Sequence, residues 1–180
     1  RSTDAVGQFV GFYQDDQLVY ARGDASAAYG MRAEIAERSV LFIDDRLVVL
    51  IDRMAPAHVS TSSSVSAQSN PAGAMWTWHL HSVKPMDIRH QEKRVTLTYD
   101  KAGLEVVFGH ADELLFRAHE GWDQLPYGFD RVEDVPEKAA RYHLDVGSII
   151  PMRHDVLVAA MWPFRVGEEV PDMETAGSNG

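Results

Sequence analysis

The feature that most constrains the fold is a pair of short apolar runs separated by a charged triplet. Ser39–Ile43 and Leu47–Ile51 are rich in Val, Ile, Leu and Phe, and Asp44-Asp45-Arg46 lies between them. Short runs of this kind around a polar turn are typical of two adjacent antiparallel strands. Because the runs are continuous rather than alternating, we expect both faces to be covered, or one face to meet another domain.

A second informative strand, Met75–Val83, follows a serine-rich polar loop that runs from position 56 to position 73. This strand contains Trp78, His79 and His81. Side chains alternate along a strand, so the two imidazoles share one face and the tryptophan lies on the other. We therefore expect the tryptophan to point inward and the imidazoles to point outward or toward a partner.

The rest of the chain is rich in further short strands. Ala25–Glu37 has the composition of a helix, but from Met31 its apolar residues alternate, which favours a strand. The other β-prone segments are Phe9–Tyr13, Leu18–Tyr20, Arg94–Asp100, Leu104–Phe108, Leu114–Ala118, Arg141–Val146 and Val156–Trp162. The sequence thus predicts an all-β fold with few or no helices, an antiparallel β-sandwich of two paired sheets. Residues 1–166 form one domain in this prediction, and residues 167–180 form a flexible tail.

Composition excludes several classes of function. The net charge of −10 and the absence of a Lys/Arg cluster argue against a nucleic-acid partner. The chain has no cysteine, which excludes disulfides and thiolate metal sites. No apolar run is long enough to span a membrane, and no signal peptide is visible. The opening residues, Arg1-Ser2-Thr3-Asp4, lead us to expect that the chain starts inside a longer polypeptide.

Two histidines at i and i+2 on a strand are half of a common metal site. A cupin-like metal enzyme would need a glutamate a few residues later, where Lys84 and Pro85 stand instead. The second metal-binding segment of a cupin is also missing. The sequence therefore predicts neither a metal nor another cofactor, and a hydrogen-bonded histidine pair is the simpler interpretation.

The tryptophans allow two interpretations, packing in the core and stacking on a sugar. An aromatic ring on a rigid strand can stack on a sugar ring, but large aromatics more often fill a core. Core packing is therefore the first interpretation for Trp76 and Trp78, and sugar stacking by either ring is the second. Asp52-Arg53 is interpreted by default as a solvated turn, and otherwise as a buried structural ion pair or a ligand contact. No nucleophile elbow or phosphate-binding loop is present.

An ordered set of short segments resembles the C-terminal β-sheet region of heparinase II/III-like polysaccharide lyases. The segments are Tyr20–Asp24, Ala28-Tyr29, Arg38–Phe42, Val49–Arg53, Trp78 and His81-Ser82 before Pro85. Beyond Arg94 the likeness consists only of strand-like character, with a similar segment at Ala140–Gly147. The serine-rich loop is longer than this resemblance leads us to expect. Of the two histidines, His81 has a counterpart in the family and His79 has none.

The resemblance implies a fold and an activity. The family joins a helical toroid to an antiparallel β-sandwich and cleaves uronic-acid-containing polysaccharides by β-elimination. In that reaction a base removes the proton next to the uronate carboxylate and an acid protonates the departing glycosidic oxygen. The family's catalytic segments lie outside the matching region, so the resemblance assigns no catalytic residue to this chain, and we expect the chain alone to be inactive.

The sequence therefore leads to one main hypothesis and two alternatives. The chain is the C-terminal β-sandwich of a bacterial periplasmic or secreted lyase, with an N-terminal helical toroid in the same gene product and a polysaccharide as partner. Trp78, His79 and His81 are its candidate substrate-binding residues. The acidic balance favours a weakly charged uronate polymer. The alternatives are a non-catalytic carbohydrate-binding β-sandwich and a cupin-like metal-dependent enzyme.

Overall fold

A computed structural model describes residues 6–57, 75–121 and 141–174, together with residues 131, 133, 135, 136 and 139. Most of the serine-rich loop and the irregular segment around Trp122 lie outside these residues. The described strands are β1 (Gln8–Gln14), β2 (Leu18–Asp24), β3 (Ala33–Ile43), β4 (Leu47–Pro56), β5 (Thr77–Ser82), β6 (Met86–Arg89), β7 (Arg94–Tyr99), β8 (Ala102–Gly109), β9 (Leu114–Glu120), β10 (Tyr142–Ser148) and β11 (Asp155–Arg165).

The strands form two antiparallel sheets, which confirms the predicted all-β sandwich. The large sheet has eight strands in the order β1-β2-β3-β4-β11-β8-β7-β6, and the small sheet has three in the order β5-β10-β9. Sequential strands are neighbours in most of the large sheet, but β11 is inserted between β4 and β8. In the small sheet β10 lies between two strands that precede it in the chain. These two insertions connect the two halves of the chain.

The apolar hairpin has the turn that its charged triplet predicts. Asp44 and Asp45 adopt positive φ angles of 49° and 54°, and the Arg46 amide donates to the Ile43 carbonyl at 3.1 Å. Aspartate tolerates this left-handed conformation better than most residues. The predicted strand after Met31 begins at Ala33 and is continuous with the first apolar run. Two short helical turns precede it, at Ser26–Tyr29 and Gly30–Arg32.

The core lies between the small sheet and the β11-β8-β7 part of the large sheet. Trp78 from β5 and Phe116 from β9 both pack their rings edge-on against Phe108 from β8, with centroids 5.2 and 5.6 Å apart. Leu144 and Val146 from the central strand of the small sheet are fully buried among them. Because β5, β9 and β10 all turn alternate residues toward this core, their remaining residues face away from it.

The other half of the large sheet extends beyond the small sheet. Strands β2, β3 and β4 are mostly half-buried, and the edge strand β1 is exposed along nearly its whole length. Phe9 and Phe12 on β1 are 70% and 60% exposed. The apolar hairpin is therefore only partly covered by the described residues, which fits the expectation that one of its faces meets another domain.

Three details differ from the sequence-based expectations. The chain does not turn at Asp52-Arg53, because β4 continues to Pro56. Asp52 is buried and accepts a two-pronged hydrogen bond from Arg38, at 2.6 Å to each oxygen, while Arg53 reaches Glu37 instead. The sequence did not predict strand β6, which lies at the edge of the large sheet. Its four residues contain only two apolar side chains, too few to show an alternating pattern. Residues 167–174 have no regular structure, yet Arg94 donates to both Asp172 and the Met173 carbonyl.

Candidate functional site

The outer face of the small sheet concentrates ionisable side chains. In register across β9, β10 and β5, His119, His143 and His81 form one row, and Arg117, Asp145 and His79 form the next. All six stand on the side of their strands opposite the core. Four of the eight histidines of the chain are therefore placed on a single sheet face. We call these six residues the histidine face.

His79 is oriented by a carboxylate. Its Nδ1 lies 2.7 Å from Oδ1 of Asp145 on the neighbouring strand, and both side chains are partly open to solvent. An ionised carboxylate only accepts hydrogen bonds, so Nδ1 carries the proton and Nε2 of the neutral ring is free to accept one. This pair presents a basic nitrogen outward from a fixed ring.

The row of His119, His143 and His81 joins three imidazoles. Nδ1 of His81 lies 2.5 Å from Nδ1 of His143, so one proton is shared in this contact and only one ring donates. The ring of His119 stacks on the other side of His143, with centroids 4.9 Å apart and a 19° angle between the planes. The central imidazole is therefore enclosed between two more exposed ones.

The environment of His143 opposes its protonation. Its side chain is only 8% exposed, and this burial lowers the pKa of its imidazole below the ordinary value. The neighbouring His81 and His119 lower that pKa further, because a second positive charge beside them is unfavourable. A hydrogen bond with the Gly121 backbone and the carboxylate of Asp145 act in the opposite direction without reversing the shift. His143 thus resists protonation in the middle of its row.

The structure does not arrange the histidines as a metal centre. Among the described residues, no group of three or more His, Cys, Asp or Glu side chains has the geometry to hold a metal ion. The stacked rings of His119 and His143 explain this in part, since parallel rings direct their nitrogens side by side rather than toward one point. The cupin-like alternative therefore gains no support from this face.

Trp78 lies on the other side of its strand from the two predicted histidines. It is 8% exposed in the core, and it also lines a cavity of about 420 Å³ beside the uncovered half of the large sheet. Asp24, Tyr29 and the Arg38–Asp52 pair contribute to the same cavity. The structure thus brings His79 and His81 together, as predicted, but separates both from Trp78. Any contact of Trp78 with a sugar would take place in this cavity and not at the histidine face.

Sequence reasoning missed four members of the histidine face. Arg117, His119, His143 and Asp145 lie on strands far from His79 in the chain. A signal was present, because each of the three strands carries two ionisable residues at i and i+2: His79 and His81, Arg117 and His119, His143 and Asp145. Only the pairing of β10 with both β5 and β9 shows that the three pairs belong together.

Comparison with known proteins identifies the fold. No protein-family model and no curated protein match the sequence. A mutant of the heparan sulfate lyase HepC from Pedobacter heparinus matches with a TM-score of 0.64 and 16% identity over 93% of this chain and 23% of that one. A heparinase III, the BT4657 gene product, matches with a TM-score of 0.63 and 10% identity over 88% of this chain and 22% of that one.

A second structure of that heparinase III, with methylated lysines, has a TM-score of 0.60 and 10% identity over 88% of this chain and 21% of that one. The chain therefore spans between 21% and 23% of the length of these lyase structures. Their shared architecture confirms the resemblance predicted from the sequence at the level of the fold. The chain has the β-sandwich fold of a domain found in heparinase III and heparan sulfate lyase structures.

Proposed function

We propose that the chain is the C-terminal β-sandwich of a longer polysaccharide lyase that acts by β-elimination on a uronic-acid-containing polysaccharide. The observation that carries this proposal is the match of about nine tenths of the chain to heparinase III and heparan sulfate lyase structures. The main catalytic residues lie elsewhere in the longer protein, in a helical toroid. Secretion or a periplasmic location belongs to the same proposal, because its substrate is an extracellular polymer. Within the described residues no helix is long and apolar enough to cross a membrane.

The histidine face is the surface that this sandwich offers to the polysaccharide. The outward ring nitrogens of His79 and His81 can exchange hydrogen bonds with polysaccharide hydroxyl groups, and Arg117 adds a permanent positive charge two strands away from them that can pair with a carboxylate. The surrounding chain carries a net charge of −10 and repels polyanions, so a local cationic surface is needed to hold one. A polymer with a single carboxylate per uronate fits this charge balance better than a heavily sulfated one.

Calorimetric titration with two oligosaccharides of equal length tests this function. We expect the 180-residue chain to bind an unsulfated uronate oligosaccharide at pH 6 and not a neutral glucan. An Arg117→Gln variant should weaken the uronate complex by about three- to tenfold, since one charged contact is lost. Equal affinity for both oligosaccharides would contradict a carboxylate-directed surface.

A lyase assay separates this function from the carbohydrate-binding alternative and from a catalytic chain. The unsaturated product of β-elimination absorbs in the ultraviolet, so its formation can be followed directly. We expect none from this chain alone and formation when the complete polypeptide is present. Product from the chain alone would show that the catalytic residues are here. Binding without activity of the complete polypeptide would favour a non-catalytic binding module.

A further inference from the structure

The charge of the histidine face depends on pH more strongly than that of an ordinary surface. Histidine is the side chain whose ordinary pKa, about 6.5, lies between pH 5 and pH 8, and four of the six residues of this face are histidines. Arg117 and Asp145 contribute one charge of each sign. The imidazoles therefore make the charge of the face depend on pH, on a chain whose net charge is −10.

Exposure defines where this face can gain positive charge. His79, His81 and His119 are open to solvent, whereas the enclosed His143 resists protonation. In the His119–His143–His81 row the enclosed ring lies between two exposed rings, which are two strand spacings or about 10 Å apart. Nδ1 of His143 lies 2.5 Å from Nδ1 of His81 and can accept a hydrogen bond from it.

The other charged groups around this face are few among the described residues. Asp145 is the one carboxylate on the face itself, and it is engaged with His79. Lys84, Glu120 and Arg141 border the strand ends at one rim, and Asp112 and Glu113 precede β9 at the other. On the face itself, added positive charge therefore meets only the carboxylate of Asp145, which already pairs with His79.

We propose that the histidine face binds the carboxylates of a uronate chain together with protons, holding the polysaccharide in mildly acidic solution and releasing it as the pH rises above neutrality. This inference rests on the proposed function, because it concerns the same surface and ligand. By thermodynamic linkage, a ligand that binds the protonated face more tightly must also make the face bind protons more tightly. The affinity should therefore fall with increasing pH, and binding should take up protons from the buffer.

Calorimetry at pH 5.5, 6.5 and 7.5 tests the proton linkage, with an unsulfated uronate oligosaccharide as the probe. Titrations in two buffers of different ionisation enthalpy give the number of protons taken up. For the 180-residue chain we expect the affinity to be at least about tenfold higher at pH 5.5 than at pH 7.5, as two or three surface charge contacts provide. Proton uptake at pH 6.5 should be clearly above zero.

Three variants distinguish the effect of the histidine face on affinity from the effect of the chain's general loss of negative charge in acid. The double variant His81→Gln/His119→Gln should lose most of the pH dependence of binding. Arg117→Gln should weaken binding at every pH but retain the pH dependence. His154→Gln, at an exposed histidine before β11 of the large sheet, should behave as the unmodified chain. Circular dichroism of each variant establishes that it is folded.

The outcomes distinguish failure of this inference from failure of the proposed function. Equal affinity at all three pH values, or an unchanged pH dependence in the double variant, overturns the proton linkage and leaves the binding function standing. Absence of binding to the uronate probe at every pH overturns both.

Discussion

At the scale of single residues, the enclosed imidazole of His143 makes the stability of the fold depend on pH. Burial and two neighbouring imidazoles lower its pKa, so the folded state binds this proton less readily than the unfolded state does. The contribution of neutral His143 to the free energy of unfolding is fully present above the unfolded-state pKa of about 6.5. It is lost as the pH falls toward the lower pKa of the folded state. Acid thus weakens the fold through His143.

The lowered pKa of His143 leads to a prediction about thermal stability. Between pH 7.5 and pH 5.5 the melting temperature should fall, by about 2–4 °C for each kcal/mol lost. A His143→Gln variant lacks the titrating group, so its melting temperature should fall less over the same interval. His154→Gln, at an exposed position, should follow the unmodified chain. The same slope for His143→Gln and for the unmodified chain would show that His143 does not oppose protonation.

At the scale of the elements, the small sheet depends on a close approach between β10 and the residue before β5. A Cβ atom at Gly147 would overlap the backbone carbonyl oxygen of Trp76, which cannot rotate away as a side chain could. At Gly23 in β2, by contrast, a Cβ atom would meet the Gln8 carbonyl oxygen at an ordinary 3.8 Å. Gly147 therefore allows β5 to pair with β10 along its full length.

We accordingly expect Gly147→Ala to lower the free energy of unfolding by about 1–3 kcal/mol, as overpacking does elsewhere. Gly23→Ala should change it by less than about 1 kcal/mol. Urea denaturation followed by tryptophan fluorescence measures both. If Gly147→Ala were as stable as Gly23→Ala, the pairing that positions His79 and His81 opposite Asp145 and His143 would be in doubt.

The strands also show how much of the structure the sequence could predict. The apolar hairpin, the histidine strand and most other strands could be predicted, because alternation and turn residues are local signals. The grouping of His79 with Asp145 and His119 could not, since β10 enters between β5 and β9 from a distant part of the chain. Likewise, Asp52 was expected near Arg53, but cross-strand register brings Arg38 to it. Local patterns predict which strands form, whereas long-range pairing decides which side chains meet.

At the scale of the whole molecule, the two halves of the large sheet have different surroundings. The β11-β8-β7 half is covered by the small sheet, but the β1–β4 half retains partly exposed apolar residues. The matched lyase structures are about four times as long as this chain, since 88% of it covers 22% of one of them and 93% covers 23% of another. If the proposed function holds, this half is the surface on which the helical toroid of the longer lyase packs.

An apolar surface of this kind binds hydrophobic dyes in the isolated chain. A Phe9→Ser/Phe12→Ser variant should bind clearly less of the dye ANS, with a change in unfolding free energy within about 0.5 kcal/mol for each exposed site. Tyr99→Ser, on the half covered by the small sheet, is the control and should leave dye binding unchanged. Equal dye binding by the double variant and the unmodified chain would argue against a docking surface on β1–β4.

The central claim, that a uronate polysaccharide contacts the histidine face, is tested most directly by the imidazole signals in nuclear magnetic resonance. Titration at pH 6 with an unsulfated uronate oligosaccharide should shift the ring signals of His79, His81 and His119. Those of His110, which is buried against Asp155, and of His154 should stay in place. Shifts confined to His110 or His154, or no shift in the three exposed rings at saturating ligand, would contradict the account.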